Sequence, residues 1–227
     1  MIDPASAIRL SLIVGLWCAV VGFPVAVGVG WVLARKRFVG RTLLVTLLLV
    51  PLVLPPVVTG YLLLRFFGRE GPLAALDLDI PFTLAGAVVA AFVVGLPLYV
   101  MAARHAFEAV DPRYEEVSWT LGVPPWRTFL RITFPLAAPG LAAGAVLSFA
   151  RALGEFGATA VLAGNVEGRT RTIALAVYTL LESPGGEDGI GVLLWASIAI
   201  SLAAIAGYEW FNRWQRRRLD EPRRRGR

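Results

Sequence analysis

Residues 10–33 read Leu-Ser-Leu-Ile-Val-Gly-Leu-Trp-Cys-Ala-Val-Val-Gly-Phe-Pro-Val-Ala-Val-Gly-Val-Gly-Trp-Val-Leu, without a single charge. A helix needs ~20 such residues to cross a hydrocarbon layer of ~30 Å, so this run is long enough to span one. It also outlasts the apolar core of a secretory leader, which is ~7–15 residues. It ends in Ala34-Arg35-Lys36-Arg37 rather than in a small-residue cleavage site, and so reads as a retained membrane span. Cys18, the only cysteine, lies inside it; an internal disulfide is impossible, and the residue reads as a small core hydrophobe.

Four further runs follow at 42–67, 82–103, 135–153 and 190–211. The chain is 57% hydrophobic and 17% charged, too few charges to cover a soluble surface. The runs are continuously apolar and lack the in-out alternation of a membrane strand, so helices are expected rather than a barrel. Pro24, Pro51, Pro55, Pro56, Pro97 and Pro139 interrupt them. Such kinks persist where neighbouring helices or water satisfy the freed carbonyls, which points to a packed bundle around a cavity. The tryptophans Trp17, Trp31, Trp195 and Trp210 fall within or near span ends, as belt anchors and packing residues do.

The basic residues orient the bundle. The flanks at 35–41, 104–131 and from 213 onward hold sixteen Lys and Arg; the opposite flanks hold five, Arg9, Arg65, Arg69, Arg169 and Arg171. The positive-inside rule places the first set in the cytoplasm, with the N-terminus outside. The expected fold is an all-α membrane protein of five spans, a single domain over 1–215 and a basic cytoplasmic tail over 216–227. The tail's charge suits anionic headgroups of the membrane lipid; with no aromatic platform or folded domain beside it, nucleic acid is not expected as a partner. His105 stands alone at the end of the third span, with no second His or Cys to build a metal site. The chain has no Gly-x-Ser-x-Gly or His-Glu-x-x-His, and its only lysine, Lys36, precedes Arg37 rather than the Ser or Thr of a P-loop. It is therefore expected to be non-catalytic, to bind no cofactor or metal and to hydrolyse no ATP itself.

Two connections carry structure of their own. The external one, 154–189, contains an apolar run at 171–182 too short to span, expected at the outer interface or re-entering the bundle, and closed by Ser183-Pro184-Gly185-Gly186. The cytoplasmic one, 104–134, opens a short helix at Asp111-Pro112 and stops it at Gly122. Tyr114, Val117 and Leu121 share one face, while Arg113, Glu115 and Glu116 take others. Two readings fit: an amphipathic helix on the inner membrane surface, or a docking lever whose tip is Leu121-Gly122-Val123.

The lever reading has a precedent. Glu116-Val117-Ser118, Gly122 and Ile132-Thr133-Phe134-Pro135 stand in the register of the cytoplasmic motif of ABC-importer permeases, which the segment resembles. It departs where that family places Ala (Val117) and Leu (Phe134). The stretches 51–61, 149–159 and 168–187 resemble the molybdate permeases within that family, and with the lever they cover most of residues 30–190. Sulfate and thiosulfate permeases share Gly154-Glu155-Phe156-Gly157; the outer run favours molybdate. The resemblance implies a type I importer permease acting as a homodimer with its pathway on the dimer axis. Two separate ATPase subunits, carrying ATP and Mg, would grip Tyr114, Glu115, Glu116, Val117, Ser118, Leu121, Gly122 and Val123, and an external binding protein would deliver molybdate. Sulfate, thiosulfate or tungstate remain as cargo alternatives, and a membrane scaffold or intramembrane enzyme as an alternative of another class.

Arg151 and Glu155 are charges within or beside a span, four apart on one helical face. They read as a mutual pair that holds helix packing, or as a pathway element in which Arg151 offsets a passing oxyanion while Glu155 restrains it. Ser148, Thr159, Pro55 and Thr59 complete the candidate lining.

Overall fold

A computed structural model describes residues 3–74, 79–184 and 187–224, with side chains at 187–188 and from 214 onward excluded. Gly185 and Gly186 of the expected breaker, and Arg225 and Arg227 of the basic tail, lie outside the described residues.

The first helix, α1 (Pro4–Arg35), starts where the carboxylate of Asp3 accepts from the Ala5 amide and Pro4 takes the first helical position. It packs against α4 (Leu84–Glu108), capped by the Thr83 hydroxyl, and against α7 (Phe134–Leu153). Small side chains set this contact. Ala26, Ala103, Ala106 and Ala137 are buried between the three helices, with Leu33, Tyr99, Phe107 and Leu141 filling the remaining space. In a bilayer, where lipid tails are as apolar as leucine, close approach across such residues supplies the association energy.

Among the described residues four helices are long and apolar enough to cross a membrane, and five spans result if a bent pair counts as one. That pair corrects the expectation of one helix over 42–67. α2 (Arg41–Val53) and α3 (Pro56–Phe67) meet at 111°, a turn rather than a kink. The cause is Pro55-Pro56. Neither has an N–H to give the helix, and each forces the residue before it out of helical geometry, as Leu54 (ψ 142°) and Pro55 (ψ 131°) show.

Beyond α4 come the short lever helix α5 (Arg113–Thr120), α6 (Pro125–Thr128) and a π turn (Phe129–Thr133) that runs into α7. The helix that carries the fourth span therefore begins at Pro125, ten residues before the apolar run at 135. Two short helices follow α7: α8 (Gly157–Leu162), which was not anticipated, and α9 (Ile173–Leu181). α9 packs through Ile173 and Ala176 against Ala7 of α1 and Leu193 of the last helix. That helix, α10 (Glu187–Arg224), continues without a break into the basic segment.

The ends of α1 define the two ends of the molecule. At one, the Asp3 amide donates to Glu167 in the 154–189 connection (2.8 Å); at the other, Arg35 reaches Glu115 of the lever (3.1 Å). The two connections thus lie on opposite sides of the bundle.

Candidate functional site: the lever and the charged pair

The lever is held by its polar side. Glu115 is 7% exposed and accepts from Arg35 and from the Thr133 hydroxyl (2.7 Å); Arg35 also donates to the Val110 carbonyl (2.8 Å). Ser118, also buried, shares a hydrogen bond with Thr128 (2.8 Å). The Asp111 carboxylate accepts from the Arg113 amide at the start. At the other end Gly122 (φ +77°) closes the helix: its amide donates to the Trp119 carbonyl, and the Val123 amide donates back to Ser118. This paired closure requires a left-handed residue, a position where glycine alone is unstrained.

The apolar side points the other way. Tyr114 and Val117 are 58% exposed and Leu121 77%. A helix resting on its own protein buries its apolar face; here the carboxylate and hydroxyl are inside and the hydrocarbon is outside. Of the eight coupling residues expected from the sequence, Tyr114, Glu116, Val117, Leu121 and Gly122 are exposed and Val123 is half-buried. Glu115 and Ser118 face inward and position the rest. Arg35, Thr128 and Thr133 were missed. Arg35 lies 80 residues from Glu115 in the chain, so no local pattern could reveal the pair.

At the opposite half of the bundle, Arg151 and Glu155 form an ion pair at 2.8 Å, with the Glu155 side chain 2% exposed and that of Arg151 26%. Glu155 also accepts from the Ala158 amide (2.9 Å) in the first turn of α8. α3 lies tightly on α8: a Cβ placed on Gly60 would stand 2.7 Å from the Ala158 carbonyl oxygen. Five of the six candidate lining residues fall into two groups that this pair joins. Ser148 and Arg151 face α4 at Gly95, where they stand about 4 Å from a Cβ placed there. Glu155 and Thr159 belong to the α8 region, against the α3 segment that carries buried Thr59. The Thr59 hydroxyl is buried without a hydrogen-bond partner among the described residues. Pro55 is exposed at the α2–α3 turn.

A family model described as "Binding-protein-dependent transport system inner membrane component" matches residues 26–221. The chain is 44% identical to the molybdenum transport system permease protein ModB of Escherichia coli strain K12, over 95% of this chain and 97% of that one. It is 42% identical to the ModB protein of Haemophilus influenzae, over 95% and 96% respectively. Among solved structures, the MetNI methionine ABC transporter in an inward-facing conformation superposes with a TM-score of 0.69 at 15% identity, over 93% of this chain and 94% of the other, a likeness of fold.

Proposed function

The chain belongs to the binding-protein-dependent transport inner membrane component family, and on that premise we propose that it is the multi-pass membrane permease of an ATP-driven molybdate importer. The cargo rests on similarity to molybdenum permeases along nearly the whole chain. The coupling role rests on one observation above all, the outward apolar face of the lever. Burying an exposed Val or Leu side chain releases about 1.5–3 kcal/mol, so Val117 and Leu121 favour docking into a groove on a partner. The partner is an ATPase subunit, one on each lever of a permease homodimer, and it holds the ATP and Mg. An external binding protein delivers molybdate at the opposite end. Closure of the two ATPases moves both levers together, and that rigid-body motion alternates the pathway between the two sides. The permease supplies no covalent chemistry: Arg151, restrained by Glu155, offsets the oxyanion's charge as it passes.

Two substitutions test the coupling. Gly122→Val strains a left-handed position by roughly 1–2 kcal/mol and unravels the closure. Leu121→Asp puts a charge on the tip, where nothing in the fold depends on it. Both are expected to abolish co-purification of the ATPase and uptake of radiolabelled molybdate while the permease still inserts. Normal uptake in both variants would overturn the coupling role. An excess of sulfate should leave uptake of molybdate unchanged; strong competition would move the cargo to the sulfate class.

A further inference from the structure

Between α1 and the start of the fourth span lies a groove of about 680 Å³ that the proposed transport does not use. Phe23, Gly28 and Trp31 of α1 line one wall and Trp126, Phe129 and Leu130 the other; no lining side chain carries a charge. Interlocked rings brace its walls. Phe23 meets Phe134 edge-on at 6.2 Å, and Trp31 meets Phe129 edge-on at 5.7 Å. From Phe23 to Trp31 the groove follows α1 for about 12 Å at 1.5 Å per residue, toward the lever end of the membrane-spanning bundle.

Charge appears only at its margin. The Lys36 ammonium stands 5.7 Å from the Trp31 ring, and the Arg127 guanidinium 5.0 Å from the Trp126 ring. Both cations are exposed, and neither forms an ion pair among the described residues. Tryptophan marks the headgroup level of a bilayer, so the trough lies at acyl-chain depth and the cations at phosphate depth. We propose that this groove seats one acyl chain of an anionic phospholipid, with its phosphate met by Lys36 and Arg127. A zwitterionic lipid fits the trough equally well, but its own ammonium offsets the attraction of the two cations. The seat adjoins the lever, because Trp126 follows the Gly122 tip by four residues. The inference needs only a membrane-embedded chain, whatever its cargo.

Native mass spectrometry tests it on the full chain, purified in detergent, stripped of lipid and titrated with phosphatidylglycerol or phosphatidylcholine. One phosphatidylglycerol per chain should be retained, with a preference over phosphatidylcholine of about thirty-fold, as two cations confer at a membrane surface. Lys36→Gln with Arg127→Gln should erase the preference and leave both lipids weakly held. Gly28→Leu should abolish retention of either lipid by filling the groove; a Cβ there meets nothing within 4 Å, so the helix accepts it. Equal retention of the two lipids by the native chain would overturn the proposal, as would unchanged retention in Gly28→Leu. Separation of otherwise co-purifying copies by Gly28→Leu would make a second copy the occupant, and overturn it too. The double Gln variant carries the test by itself if Gly28→Leu does not fold.

Discussion

Glu155 shows how one carboxylate serves two neighbours: it pairs with Arg151 at the end of α7 and accepts from the Ala158 amide in the first turn of α8. Removing Arg151 leaves that carboxylate buried with a single amide for company, and an uncompensated buried charge costs about 3–5 kcal/mol. The partial exposure of Arg151 puts the expected loss at the lower end. We predict that Arg151→Ala lowers the melting temperature of the purified protein more than Glu155→Gln does, since a glutamine oxygen still accepts from Ala158. Thermal unfolding followed by tryptophan emission measures this. A wild-type melting temperature in Arg151→Ala, with uptake lost, would leave Arg151 a role in passage alone. This pair was legible in the sequence because four residues make one helical turn. The bond from Arg35 to Glu115 was not, since only the packing of α1 beside the lever brings those two residues together.

Among the elements, α1, α4, α7 and α10 could be read from their apolar runs, because crossing a bilayer demands length and hydropathy that sequence states directly. Direction is a different matter. Hydropathy is blind to a turn, so the apolar run at 42–67 hid the 111° bend, and Pro55-Pro56 signalled a kink without its size. α8 escaped because six residues are too few to show a period, and the π turn because it differs from an α turn only in its bonding partner. The bend is set against α8, where Gly60 lies under the Ala158 carbonyl. Gly60→Leu should therefore force α3 off α8, at a cost of about 1–3 kcal/mol for overpacking. The expected readings are a lower melting temperature and loss of uptake; a wild-type result in both would show that α3 moves freely on α8.

At the scale of the whole molecule, the sequence supplied an orientation and the structure two ends to which it applies. With the buried Cys18 replaced by alanine, Leu121→Cys and Val166→Cys place single thiols at exposed positions on opposite ends. An impermeant maleimide should label position 166 in right-side-out vesicles and position 121 only in inverted ones. The reverse pattern would put the lever outside and end the proposed coupling. What sequence could not state is which apolar faces meet lipid and which meet protein. α2 has no buried residue, and only 6% of the apolar window of α10 is buried within the subunit. The outward hydrocarbon of the lever differs from these faces because it stands at one end of the bundle, and the proposed coupling puts it beyond the shelter of acyl chains. A copy made in excess of its proposed ATPase would keep that greasy tip bare in the aqueous phase, where chaperones and proteases recognise such patches. Surplus subunits would thus be culled, and the ratio between the two components would be policed by the shape of eight residues rather than by matched synthesis.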